Sequence, residues 1–353
     1  MFPKSKTYFY EDKPLFGLDI DHNTLRVMQL DMSGAIPQLG GYGSVSFDSG
    51  AIASSVIVKP ELIASATQRL FEDELIGDIS TNRVAVSLPA SRALSRVLQL
   101  PKMNAKDIEE AIQTEAAQYI PNTDSLYLDH TLLREDNENI EVLIVAMPKN
   151  IVDSYLVLTR MLGLEAVLFD TTIGASARLF AYGQPNSIPS VLVDFGADAT
   201  DVTVLNGGLV VTSAVPFGED AMTLAIAKAS HLAPRDAAEL ATKTPTNPAS
   251  KQLNPTLQPF MEQLVREIRR SIRYYQQRYI NEQPIGQIVI MGGGARTPGL
   301  EAYLTDGLRL PARTLDLAEH ISAGHLPAIK PLQRMSYVTA AGLGLANPAE
   351  VFA

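Results

Sequence analysis

Residues 17–24 read GLDIDHNT, and the role of the two carboxylates in that stretch decides how the chain folds. LFGLDI at 15–20 is an apolar run of strand length, LRVMQLD at 25–31 is its returning partner, and the polar residues between them form the turn. In a strand, residues two apart share a face, so Asp19 and Asp21 repel unless a cation, a turn or water separates them. A phosphate and metal site is one answer. A carboxylate that caps a hairpin turn is the other.

The pattern returns half a chain later. SVLVDFGADATDVTVLNGGLVVTSAVPFG at 190–218 gives two apolar runs joined by Asn206 and Gly207, a strong hairpin signal because both residues tolerate positive φ. Each unit has an apolar strand ending in Asp, a polar turn with Thr and a returning strand: Asp19 to Thr24, then Asp194 to Thr200, with the two acids 175 residues apart. A duplicated, two-lobed architecture follows. Paired loops of this kind can close on the phosphates of a nucleotide, with turn N–H groups donating to oxygens while an Asp holds Mg²⁺ through water. QIVIMGGGAR at 287–296 adds a strand followed by three glycines, which suit either close approach of an anion to the backbone or a tight turn.

Around these loops the pattern is mixed. PELIASATQRLFEDELI at 60–76 has helical spacing with Leu62, Ala66, Leu70 and Phe71 on its apolar positions, and VAVSLP at 84–89 is a short buried strand. Strand-like ALSRVLQLP, a helix from 105 to about 120, two further strands and a helix at 150–162 make an α+β unit inserted in the larger body. On its first helix Asn104 and Asp107 have capping-box spacing, and Glu115 lies on the same face as Ile108, Ile112 and Tyr119. An acid inside an apolar stripe is either solvated at a domain edge or in contact with a nucleotide-bound water or a partner peptide. TKTPTNPASKQLNPTLQP at 242–259 is expected to be a surface loop. At about 100° per residue, the helix after it places Leu264, Val265, Ile268, Ile272, Tyr275 and Tyr279 on one face and Arg266, Arg269, Arg270 and Arg273 opposite. Most of that basic stripe is expected to be a solvated face, with Glu267 and Arg270 along one edge, placed to reach a ribose or purine.

Composition narrows the classes. The 353 residues carry a net charge of -10, which argues against a general nucleic-acid binder, and no cysteine, which excludes disulfides and thiolate chemistry and suits a reducing compartment. The five histidines show no metal-ligand spacing. No apolar run reaches the length of a bilayer span, and the last residues, NPAEVFA, form no basic amphipathic face.

With three such loops in this order, the chain resembles the actin, sugar-kinase and Hsp70 ATPase superfamily, and within it the PilM family of type IV pilus assembly proteins, relatives of the division protein FtsA. AIQTEAAQYIP at 111–121 is similar to that family's EAEQYIP signature; DFGADAT at 194–200, VPFGED at 215–220, REIRRSIRYY at 266–275 and VIMGGGARTPGL at 289–300 are similar to its other motifs. The resemblance implies an α/β, two-lobed actin-like ATPase fold with ribonuclease H-like duplicated lobes, in which an α+β subdomain 1C replaces the usual 1B. The expected boundaries are an N-terminal extension at 1–13, subdomain 1A at 14–86 and 166–187, 1C at 87–165, 2A at 188–220 and 285–353, and 2B at 221–284.

It also implies ATP and Mg²⁺ in the central cleft, the metal held through water by Asp19 and Asp194. The cofactor-binding residues it assigns are Asp21, His22, Asn23 and Thr24 in the first loop, Asp194, Gly196, Ala197 and Thr200 in the second, and Gly218 and Glu219 after the hairpin. On the adenosine side it assigns Glu267, Arg270, Gly292, Gly293, Gly294 and Ala295. Glu115 is the candidate catalytic or peptide-contacting acid. The implied partners are the cytoplasmic N-terminal tail of PilN, docked in a groove between the first lobe and 1C, and the inner-membrane platform of the pilus. That places the chain in the cytoplasm, peripheral to the membrane and not inserted in it, with self-association open and no nucleic acid. Where the family has glycine after Asp-Ile, then small hydroxyl residues and a lysine, this chain has Asp21, His22, Asn23, Thr24 and Arg26, and Asp198 adds an acid to the other loop. The rival readings are a small-molecule kinase with Asp194 as general base and an FtsA-like filament-forming protein.

Overall fold

The computed structural model describes residues 14–119, 122–182, 188–243 and 256–347. The 1–13 leader, most of the proline-rich loop at 242–259, the last two residues of the 111–121 signature and the tail beyond 347 lie outside the described residues.

Duplication is visible in the sheets. In the first lobe, Phe16–Ile20, Thr24–Asp31 and Gln38–Ser46 run antiparallel, while Arg83–Leu88 and then Glu165–Thr171 join parallel on the other side of the first strand. In the second, Ser190–Phe195, Thr200–Leu205 and Leu209–Val215 form the antiparallel half, and Gln287–Met291 and Ala312–Thr314 the parallel half. Both lobes therefore share the order third, second, first, fourth, fifth. The central strands are buried along their whole length, FGLDI in one lobe and SVLVDF in the other, as expected where helices cover both faces of a sheet.

Register corrects one detail of the repeat. The turn bonds are Asp21 N–H to Thr24 O at 2.9 Å and Gly196 N–H to Ala199 O at 3.0 Å, and the cross-strand pairs are Asp19 with Arg26 and Asp194 with Asp201. The 175-residue offset thus places Asp21 on Gly196 and Arg26 on Asp201. The two turns are equal in length, so Thr24 corresponds to Ala199 and Thr200 to Leu25.

The inserted unit is a three-stranded antiparallel sheet, Leu94–Pro101, Asn139–Pro148 and Leu126–Glu135, crossed by the helix Ala105–Tyr119. It has a small core of its own, with Leu98, Leu100, Ile112, Ile140, Val142 and Ile144. Asn104 Oδ1 accepts from Asp107 N–H at 3.0 Å, the expected cap. Tyr119 is not on the buried stripe: it is 50% exposed beneath the Arg96 guanidinium, and Ala116 takes the inward place. The helix Lys149–Met161, expected within the insertion, instead buries Ile151, Tyr155 and Leu158 in the first-lobe core. In the helix Pro60–Arg69 and the π turn Leu70–Glu74 that ends it, Ile63, Ala66 and Leu70 point inward, while Leu62 and Phe71 are exposed.

A helix of small residues, Val338–Gly344, is fully buried and packs against the first-lobe strand Phe16–Ile20 and the helix Thr172–Ala181, although its segment follows the second-lobe sheet. Small residues are required there. A Cβ on Gly17 would overlap the carbonyl oxygen of Ala340, and one on Gly342 the carbonyl oxygen of Ala175. The backbones touch because no side chain separates them. Its neighbours include Leu192, Val289 and Met291 of the second-lobe sheet, so one apolar cluster spans both lobes. Gly342→Val is expected to lower stability by about 3 kcal/mol in urea unfolding, the upper part of the range for overpacked cores. Gly163→Ala, with positive φ but open space around it, should lose about 1 kcal/mol from backbone strain alone.

Candidate functional site

The two duplicated turns face each other across a cleft lined by Asp19, Asp21, His22 and Arg26 from the first lobe and Asp194, Gly196, Asp198 and Asp201 from the second, with Gly292 and Gly293 beside them. Each sheet carries its acid to the end of its central strand. Asp19 is fixed there by the Ser87 hydroxyl, which donates to Oδ1 at 2.8 Å, and by Arg26 at 3.5 Å. Ser87 in turn accepts from Ile20 N–H at 3.1 Å, which ties the acid to the neighbouring parallel strand.

The question posed by GLDIDHNT has a structural answer. Asp21 accepts from His22 N–H at 2.8 Å and lies 3.7 Å from Arg26, so Arg26 serves both acids of the stretch. Asp198, the extra acid of the second loop, reaches the other lobe: His22 Nδ1 lies 3.3 Å from its Oδ2. Asp220 joins them, the three ligand atoms falling within 4.8 Å of one another. The first loop thus supplies both basic neighbours, Arg26 for Asp21 and His22 for Asp198.

Deeper in the cleft the charges do not balance. Burial pushes the Asp19 carboxyl up to about 6 despite Arg26, Asp201 to about 7, and Asp194, next to Asp201, to about 8. Asp201 Oδ1 is buried with no hydrogen-bond partner. An orphaned carboxylate oxygen among three buried acids is a donor set for a hard divalent cation. Among the described residues the ligand atoms that converge within 4.8 Å are those of His22, Asp198 and Asp220, so Asp19, Asp194 and Asp201 fit Mg²⁺ as acids that would hold it through water and not as a joint set of direct ligands.

The glycines have local reasons as well. Gly292 sits at φ 83°, and a Cβ on it would meet Asp194 Oδ1 and the Phe195 carbonyl; a Cβ on Gly293 would meet the Glu219 carboxylate. Gly294 lies against the Phe195 ring, and Gly218 against the carbonyls of Gly196 and Ala197. The triplet is thus demanded by the chain's own packing, and Gly292 and Gly293 additionally form cleft wall.

Other expected residues fall elsewhere. Thr200 is buried, its hydroxyl donating to Phe217 O at 2.9 Å, and Thr24 donates to Asn23 at 2.9 Å; none of the three lines the cleft. Glu219 is held by Arg296 at 2.6 Å, while Ala295 lines a separate groove. Glu267 and Arg270 pair with each other at 3.5 Å on the helix Gln258–Arg278 and are not among the cleft-lining residues. Glu115 is half-buried on the inserted subdomain, away from the cleft lining, and accepts from Gln118 at 3.4 Å. Asp201 and Ser87 went unread in the sequence. The available signal for Asp201 was an acid within the apolar strand TDVTVL; Ser87 in RVAVSL offered none.

A family model described as type IV pilus assembly protein PilM matches residues 17–347. Among solved structures, a PilM-PilN type IV pilus biogenesis complex superposes with a TM-score of 0.80 at 23% identity, covering 94% of this chain and 98% of that one. The ethanolamine utilization protein EutJ from Carboxydothermus hydrogenoformans follows at 0.56 and 14% identity, covering 94% and 88%. These likenesses show the two-lobed actin-like fold.

The buried acids set a pH dependence. Their folded pKa values lie above the unfolded value near 3.9, so the fold binds protons more tightly than the unfolded chain, and the resulting stabilisation is complete below about pH 4 and lost as pH rises through about 8. The urea midpoint of the free protein is expected to fall between about pH 4 and 8, with Mg²⁺ offsetting the fall. Asp194→Asn should flatten the dependence; an unchanged slope in that variant would remove Asp194 from the account.

Proposed function

The chain belongs to the family of type IV pilus assembly protein PilM, and on that premise we propose that it is a nucleotide-binding scaffold of the assembly machine. ATP with Mg²⁺ occupies the cleft between the lobes, and the inserted subdomain presents the surface that takes the N-terminal tail of a PilN-like partner. The observation that carries the nucleotide reading is the orphaned Oδ1 of Asp201 beside Asp19 and Asp194 at the ends of equivalent strands.

When bound, the ion supplies neutralising charge for phosphate oxygens in the cleft. The chain's own residues do the positioning. Arg26 holds Asp19 and Asp21 in place, and the glycine turn at 292–293 leaves the wall open to a phosphate or sugar. Asp21 and Asp198 add negative charge to the same cleft, which costs Coulomb energy against phosphate oxygens except where Mg²⁺ intervenes.

The peptide reading draws on the inserted subdomain, where Leu94, Tyr119 and Tyr127 leave large apolar surfaces exposed. Extended peptides dock through such side chains together with a wall of backbone donors and acceptors. Among the described residues no helix is long and apolar enough to cross a membrane.

Calorimetry separates the two halves of the proposal. Mg²⁺-ATP should bind the wild type, with Asp201→Asn weakening it by about tenfold or more, a loss of at least about 1.4 kcal/mol. A PilN-derived N-terminal peptide should bind the wild type and Asp201→Asn alike, and lose affinity with Tyr119→Ala. A folded protein that binds neither would end the reading.

A further inference from the structure

We propose a second ligand site, for a phosphate-bearing anion, on the second lobe, between the helix Gln258–Arg278 and the turn at Leu308–Leu310. A cavity of about 350 Å³ lies there, and every ionisable side chain lining it is an arginine: Arg269, Arg273 and Arg309. Its remaining wall is mainly apolar, with Ile272, Ile285 and Leu308. In a chain of net charge -10, three guanidiniums around one cavity with no carboxylate in its lining stand out.

The neighbouring arginines of the same helix are handled differently. Arg266 has Glu262 at 3.9 Å and Arg270 has Glu267 at 3.5 Å, each an acid on its own helix. Among the described residues, no carboxylate forms an ion pair with Arg269, Arg273 or Arg309. Arg269 donates to the carbonyl oxygen of Gly307 at 2.6 Å, which holds its guanidinium at the cavity wall. Arg269 and Arg273 are four apart, so they stand one above the other on the helix surface and repel in the absence of an anion.

Arg309 is placed at a cost. It ends the helix Leu300–Leu308 in the left-handed region, φ 60°, with its N–H donating to Thr305 O at 2.8 Å. That position favours glycine or asparagine; here it carries a long cation.

Guanidinium forks match the planar oxygen pairs of phosphate, and three of them around one cavity suit a doubly charged phosphomonoester better than a single carboxylate. The apolar wall accommodates the organic part of such a ligand. The ligand is a phosphate group, either on a free small molecule or on a lipid headgroup. The site is separate from the nucleotide cleft, since it shares no lining residue with it.

The test uses the full-length protein and the variant Arg273→Gln/Arg309→Gln, both positions exposed. One arm titrates inorganic phosphate, followed by ³¹P line broadening; the other floats the protein with vesicles of phosphatidic acid, whose headgroup is a phosphomonoester, and phosphatidylcholine against phosphatidylcholine alone. Wild-type binding in at least one arm, reduced about tenfold or more in the variant while its Mg²⁺-ATP affinity stays unchanged, supports the site. Phosphate binding without flotation identifies a soluble ligand, and flotation without phosphate binding a headgroup. Absence of binding in both arms, or binding that the substitutions leave intact, overturns it. Should the double variant fail to fold, Arg273→Gln alone is read by the same criteria.

Discussion

Three carboxylates buried at the meeting of two sheets, with one guanidinium among them, form the constraint on which the rest of the cleft depends. Asp19, Asp194 and Asp201 are carried inward by strands buried along their whole length, and their charge can be met there by protons or by a cation. Arg26 meets part of it, but that same side chain also serves Asp21. Unbalanced acid in a low-dielectric cleft is costly. Its position at the equivalent point of both lobes ties that cost to the place where a ligand contacts both halves of the molecule.

What holds the lobes in that relation is backbone contact. The helix Val338–Gly344 follows the second-lobe sheet in sequence and lies on the first, where Gly17 and Gly342 let main chains meet without side chains between them. Leu192, Val289 and Met291 contribute to the same cluster from the other sheet. At the cleft mouth the lobes meet through His22 and Asp198, 3.3 Å apart. The inserted subdomain makes its own connection to the second lobe: Arg134 pairs with Glu282 and donates to Asn206 O at 3.2 Å, and Arg278 lies 3.7 Å from Glu141. These contacts tie the inserted subdomain to the second lobe as well as to the first.

Much of this was legible from residues alone, because period and spacing are local. The apolar runs ending at Asp19 and Asp194, the 175-residue offset and the glycine triplet were enough to place the strands, the duplication and the cleft. Register was less plain: Thr24 and Thr200 looked equivalent, while the turn bonds align Thr24 with Ala199, which sets Thr200 on Leu25. Helix faces were read well where the apolar stripe was long, as in Gln258–Arg278. They were read poorly where tertiary packing chooses between near-equivalent positions, as with Ala116 and Tyr119. Asp201 and Ser87 became visible once strands were paired, since their partners lie in neighbouring strands.

On the proposed reading both lobes hold one ion through the equivalent acids Asp19 and Asp194. Mn²⁺ in place of Mg²⁺ makes this measurable by electron paramagnetic resonance, titrating Mn²⁺ with ATP into wild type, Asp19→Asn and Asp194→Asn at pH 8. The account predicts one tightly bound ion per chain in the wild type, weakened about tenfold or more by either substitution. Binding that survives both substitutions, or that depends on one lobe's acid alone, would contradict it.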